Sequence, residues 1–204
     1  TDNSTSGLHA VINAVMGKIA RNNATAPRWY TEGLAVYYET KTSNTGRLRN
    51  TVYRLMLRQA ALNAKIPSLG SLSTVPVRWP SGTASYLYGA FFIAHIADNY
   101  GAETLTRFNH LYGSDWVPYA LNRTAKKIWG RTFDELYRDW LVHATEQARA
   151  QIDAITAQGG VTAHENLIAP HRHKMPRAVP GKNAFSYVRN DGIHGQHIAL
   201  HDIG

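Results

Sequence analysis

The spacing of apolar residues changes at Gly159-Gly160 and divides the sequence into two parts. Before it, apolar residues recur at intervals of three and four, which is typical of helices with one buried face. After it come three prolines and then two short β-type runs, Ala184–Arg189 and His197–Leu200, joined by a turn at Asn190-Asp191-Gly192. We therefore predict a mostly α chain with a helical domain over residues 1–158, a linker over 159–177 and a β-hairpin, or the start of a β domain, over 178–204.

The composition excludes several kinds of site. The 204 residues include no cysteine, which rules out disulfides, thiolate metal sites and a cysteine nucleophile. The longest apolar run, Tyr86–Ile96, is about half the length of a membrane span, so we expect no transmembrane segment. The net charge is +8, and no carboxylate lies between Glu39 and Asp98. Aromatic residues are not interleaved with the basic ones, so we interpret this stretch as solvated helix and loop surface and expect no nucleic-acid partner.

The same spacing places the helices along the first 158 residues. Thr132 and Glu135 fit a capping box at the start of the last helix. We predict a loop over Ile66–Ser81. The predicted helices are Leu8–Ala20, Pro27–Thr40, Arg47–Ala64, Gly82–Tyr100, Ala102–Tyr112, Val117–Trp129 and Thr132–Ala157.

The helix Pro27–Thr40 is apolar around most of its circumference, which predicts a buried position. Its two carboxylates, Glu32 and Glu39, are seven residues apart and lie on one side. A partly buried Glu32 needs a cation, a metal or strong hydrogen-bond donors. Gly33 costs the helix about 1 kcal/mol relative to alanine, which a close neighbour would explain. The residues alone leave open a structural glutamate paired with an arginine.

The segment from Pro27 to Glu39, PRWYTEGLAVYYE, resembles the glutamate helix of gluzincin-type zinc metallopeptidases, and more narrowly that of the bacterial peptidase-MA-like family. Weaker likeness extends over most of residues 8–150. The resemblance implies that Glu32 is the third zinc ligand, after the two histidines of an HExxH helix. It also implies that Tyr86, or alternatively Tyr88, stabilises the oxyanion of the reaction. On the residues alone, either tyrosine could equally be a core side chain.

The chain departs from that family because it has no HExxH motif. Its closest match, the segment 164–168 (HENLI), has isoleucine in place of the second histidine and follows the glutamate helix instead of preceding it. We therefore expect a piece of a longer protein whose preceding residues carry HExxH. The resemblance implies a parent that is a zinc-dependent peptide hydrolase acting on a peptide or protein substrate. We expect this chain alone to be inactive and to bind no zinc.

The C-terminal residues carry a second resemblance. Segments 177–192 and 197–202 are similar to the first repeat of a TolB-like β-propeller. This implies export in a bacterium, to the periplasm, the outer membrane or the medium, and a propeller that binds a protein partner. The alternative function is a non-catalytic helical scaffold that presents the propeller. His171 and His173 would share one face of a strand and could hold a metal, but Pro170 and the cationic neighbours favour a loop.

Overall fold

The computed structural model describes residues 26–75, 80–114, 120–159, 172–190 and 195–203. In these ranges the chain is mostly helical with a small antiparallel sheet near its C-terminus, as predicted. The predicted helix Leu8–Ala20 lies outside them. The chain divides into two compact units, Thr1–Gln158 and Gly159–Gly204. The elements are α1 (Arg28–Thr42), a 3₁₀ turn (Arg47–Arg49), α2 (Thr51–Leu62), α3 (Leu69–Leu72), α4 (Thr83–Tyr100), α5 (Ala102–Ser114), α6 (Leu121–Trp129), α7 (Phe133–Ala157), β1 (Arg172–Ala178), β2 (Ala184–Asn190) and β3 (His197–Asp202).

Helix α4 is the centre of the helical unit, because it is apolar on most sides and buries ten residues. Aromatic rings surround it at edge-to-face distances. Phe92 of α4 lies 5.4 Å from the Trp29 ring of α1 and 5.0 Å from the Tyr137 ring of α7. Such pairs add to the stability that burial of their area provides. The core therefore ties α1 and α7 to α4 from two sides.

Helices α1 and α4 meet backbone to backbone at two glycines. A Cβ atom on Gly33 would lie 2.5 Å from the carbonyl carbon of Gly89, and one on Gly89 would lie 2.3 Å from the carbonyl oxygen of Trp29. The close neighbour that the sequence predicted for Gly33 is confirmed. The contact brings the residue before Gly33, which is Glu32, to the surface of α4.

Two helix starts follow from side-chain caps. The capping box predicted at Thr132 is confirmed, since Thr132 Oγ1 accepts the Glu135 N–H at 3.2 Å and the Glu135 carboxylate accepts the Thr132 N–H at 2.7 Å. The helix predicted from Arg47 starts later, at Thr51. Asn50 is the reason, because its side chain accepts the Val52 N–H at 2.8 Å and ends the preceding 3₁₀ turn. The predicted loop Ile66–Ser81 contains the short helix α3.

The sheet has the order β1-β2-β3, and both pairs of strands are antiparallel. Strand β1, Arg172–Ala178, corrects two predictions. All but its last residue falls in the expected linker 159–177, and it begins where a loop was expected around His173. Its backbone pairs with β2, with His173 opposite Arg189. The strand was missed because it is polar and contains Pro176. That proline lies in the irregularity between Lys174 and Arg177 of an edge strand, where proline is tolerated.

Candidate functional site

Glu32 lies on α1 at the contact with α4. Its side chain is 26% exposed, and its Oε1 lies 3.4 Å from the Nη2 atom of Arg28, one helical turn earlier. This pair is long and half-exposed, so its contribution to stability is small, on the order of 0.3–0.5 kcal/mol. Glu32 is thus neither fully buried nor locked in a tight ion pair.

Tyr86 of α4 lies beside Glu32, close enough for its hydroxyl to hydrogen-bond to the carboxylate. This interaction raises the pKa of Tyr86 above its ordinary value, and burial and the Glu32 charge raise it further, against the opposing effect of Arg28 and Arg47. The tyrosine is therefore protonated at neutral pH, and its hydroxyl can act as a hydrogen-bond donor to the carboxylate. The structure brings together the two residues that the sequence proposed for the site.

Two arginines flank the Tyr86 ring. The guanidinium carbon of Arg28 is 5.6 Å from the ring centre and that of Arg47 is 5.2 Å away, both within cation–π range. Arg47 also holds Glu39, with Nε at 2.8 Å and Nη2 at 2.6 Å from Oε2. We call Arg28, Glu32, Glu39, Arg47 and Tyr86 the Glu32 cluster.

The turn before the 3₁₀ segment positions Arg47. A Cβ atom on Gly46 would lie 2.2 Å from the Cα atom of Thr40, so only glycine allows this close return of the chain to α1. The hydroxyl of Thr40 then accepts the Leu48 N–H at 3.2 Å, and its carbonyl accepts a bond from Arg49 at 2.7 Å. The segment after α1 is thereby fixed against the end of that helix, with Arg47 facing Glu39.

Tyr88, the alternative oxyanion donor, lies elsewhere. It is 1% exposed within the aromatic core, and burial raises its pKa. Residues two apart on a helix project in nearly opposite directions, so Tyr86 and Tyr88 cannot both face Glu32. Of the two tyrosines, only Tyr86 can act at this site.

The donors near Glu32 do not by themselves fit a zinc ion. Among the residues that the structure describes, no group of three or more histidine, cysteine, aspartate or glutamate side chains is arranged to hold a metal. Zinc sites use three or four protein ligands, and Glu32 supplies one. The HExxH-like segment 164–168 and His171 lie outside the described residues.

Sequence reasoning left open an arginine partner for Glu32 but did not identify Arg28, and it missed the pairing of Arg47 with Glu39. Arg28 precedes Glu32 by four residues, a spacing that favours an ion pair on a helix and could have predicted this contact. The Arg47–Glu39 pair depends on the turn at Gly46, which no local periodicity reveals.

Other surfaces lie away from the cluster. An open depression of about 340 Å³ on α7 is lined by Leu141, Val142, Thr145, Glu146 and Arg149. None of the described helices has the length and apolar character needed to cross a bilayer. Comparison of the chain with protein-family models, curated proteins and solved structures finds no match.

Proposed function

We propose that this chain is part of a zinc-dependent peptide hydrolase of the gluzincin type, in which Glu32 is a metal ligand. The observation that supports this most is the position of Tyr86 beside the Glu32 carboxylate at the α1–α4 contact. Carboxylates that bind metals are themselves held by hydrogen bonds from neighbouring groups, which fix their orientation. The segment from Pro27 to Glu39, with its resemblance to the glutamate helix, supports the same assignment.

The roles of the described residues follow from their contacts. Glu32 is a quarter exposed, so part of its carboxylate remains open to a further partner. Tyr86 and Arg28 are the neighbours that would orient this carboxylate. The remaining ligands and the catalytic base would come from residues outside the described ranges. The Glu32 cluster would orient one ligand, Glu32.

The oxyanion role of Tyr86 remains a prediction. Its hydroxyl is engaged with Glu32, so it would have to turn toward the substrate oxygen during the reaction. An oxyanion donor must come to about 2.7–3.1 Å from the developing charge. In the observed arrangement Tyr86 is better placed to orient Glu32 than to reach a substrate.

Several further expectations belong to this proposal. The substrate is a peptide or protein, and the zinc is bound in the longer parent protein. The three-stranded sheet is compatible with part of a four-stranded propeller blade, which would bind a protein partner. Export in a bacterium follows from the family resemblance alone.

The alternative is a non-catalytic helical scaffold that presents the propeller. One observation favours it: both carboxylates of the Glu32 cluster have an arginine partner, Arg28 for Glu32 and Arg47 for Glu39. Such a cluster could serve only to join α1, the 3₁₀ turn and α4.

Peptide hydrolysis by the protein with its native flanking sequence separates the two proposals. The hydrolase requires an HExxH motif before residue 1 and cleavage of an unstructured polypeptide that stops on Glu32→Gln. Glu39→Gln is the matched control, since Glu39 lies on the same side of α1 and is also paired with an arginine. If no HExxH precedes the chain, or if the wild type does not cleave, the scaffold is correct. If both variants cleave like the wild type, the protein is a hydrolase in which Glu32 is not a metal ligand.

A further inference from the structure

Two histidines on neighbouring helices of the helical unit face each other away from the Glu32 cluster. His95 of α4 and His143 of α7 have ring centres 4.9 Å apart, with the ring planes tilted by 39°. His95 is half-buried and His143 is exposed, so solvent reaches the pair. No residue of the proposed hydrolase site takes part, and the inference does not rest on that proposal.

Packing of the aromatic core fixes this pair. Phe92 lies three residues before His95, and Trp140 lies three residues before His143. The rings of Phe92 and Trp140 are 5.7 Å apart in the buried core. Residues three apart lie on the same side of a helix, so the buried aromatic pair positions the histidine pair one turn along. The core therefore sets the distance between the two helix segments that carry the imidazoles.

The separation suits a shared metal ion. Zinc–imidazole bonds are about 2.0–2.1 Å long, which places the centres of two imidazoles on one ion about 5 Å apart when the bonds are near a tetrahedral angle. The observed 4.9 Å matches this value. Nickel, copper and zinc all bind imidazole well.

Among the nearby polar groups, the Asn99 amide contacts the ring nitrogens of His95 and has to move aside when one of them binds a metal. Asn99 lies one turn after His95, and its amide nitrogen donates to the His95 carbonyl at 2.7 Å while lying 3.2 Å from Nδ1 and 3.5 Å from Nε2. Asp139, one turn before His143, is ion-paired with Arg131. Asp98, three residues after His95, is exposed and adds negative charge on the same side of α4.

We propose that His95 and His143 form a two-imidazole chelating site for a divalent transition metal such as Cu²⁺, Ni²⁺ or Zn²⁺. Water completes the coordination, since the two side chains supply two ligands and both are open to solvent. A bound ion joins α4 to α7 at the surface, above the buried Phe92–Trp140 contact. Two ligands make a weaker and more exchangeable site than the three or four of a resident zinc.

Paramagnetic broadening by Cu²⁺ tests this site in the intact chain. We expect the imidazole signals of His95 and His143 to broaden together at substoichiometric Cu²⁺. His110, an exposed histidine on α5, should keep a sharp signal at that concentration. Broadening of the C-terminal histidines alone, or of only one member of the pair, would overturn the proposal.

Variants give an independent measurement of the same site. Either His95→Gln or His143→Gln should weaken Cu²⁺ binding by about 10²-fold at this site, because two-point attachment is lost. His110→Gln should leave the affinity unchanged. Unchanged affinity in either variant of the pair contradicts the chelate. If a variant does not fold, the wild-type spectrum still decides the question.

Discussion

The backbone contact between α1 and α4 predicts that Gly33 cannot be replaced by alanine, although it lies inside a helix. Alanine would gain about 1 kcal/mol from helix propensity. Its Cβ, however, would lie 2.5 Å from the carbonyl carbon and 2.7 Å from the carbonyl oxygen of Gly89. These are backbone atoms of a buried helix, which no rotamer change can move, so the cost should be at or above the upper end of the roughly 1–3 kcal/mol typical of overpacking.

The net effect of Gly33→Ala should be a loss of about 2 kcal/mol in the free energy of unfolding. For a chain of this size, that lowers the Tm by roughly 4–8 °C. Urea unfolding followed by circular dichroism measures the change in the free energy of unfolding. Gly70→Ala is the control, because Gly70 also lies in a helix but a Cβ there would meet nothing within 4 Å. If Gly33→Ala is as stable as the wild type or more so, the helices do not meet at their backbones and the reasoning fails.

Three further predictions concern single residues of the helical unit. Thr132→Ala should cost about 1 kcal/mol in urea unfolding, because it removes a helix cap, whereas Thr132→Ser should recover most of it. Burial, reinforced by His143, lowers the pKa of His95, so the unfolded state binds this proton more readily than the folded state. The metal-free protein should therefore lose stability as the pH falls below about 6.5. His95→Gln should flatten this dependence, and an unchanged pH profile in the variant would contradict the prediction. In a titration followed by ultraviolet absorbance, Tyr86→Phe should remove one phenol whose pKa lies above the ordinary tyrosine range. If the variant instead loses a phenol with an ordinary pKa, Tyr86 does not donate to Glu32.

The sequence predicted the features that depend on local spacing. Each of these features can be predicted from a few neighbouring residues: the apolar stripe of α4, the cap at Thr132 and the close neighbour of Gly33. The start of α2 was misplaced because one side chain, Asn50, outweighed the helix-forming residues before it. Strand β1 was missed because an edge strand without apolar alternation has no local pattern; only its partner β2 reveals it.

Contacts between elements were harder to predict. Nothing in the spacing of residues pairs Glu32 with Tyr86, since they lie far apart in the sequence; the family resemblance suggested both. The geometry that joins them depends on two glycines in different helices, Gly33 and Gly89. Arg47 reaches the cluster only through the turn at Gly46, so its role required the structure.

The zinc content of the protein with its native flanking sequence decides whether Glu32 is a metal ligand. After dialysis, metal analysis should find one tightly bound zinc per chain, which Glu32→Gln removes and Glu39→Gln retains. The measurement belongs in a His95→Gln background, so that the surface chelate contributes nothing. Zinc that survives Glu32→Gln, or protein that binds none, would contradict the assignment of Glu32 as a metal ligand and leave it a structural carboxylate held by Tyr86 and Arg28.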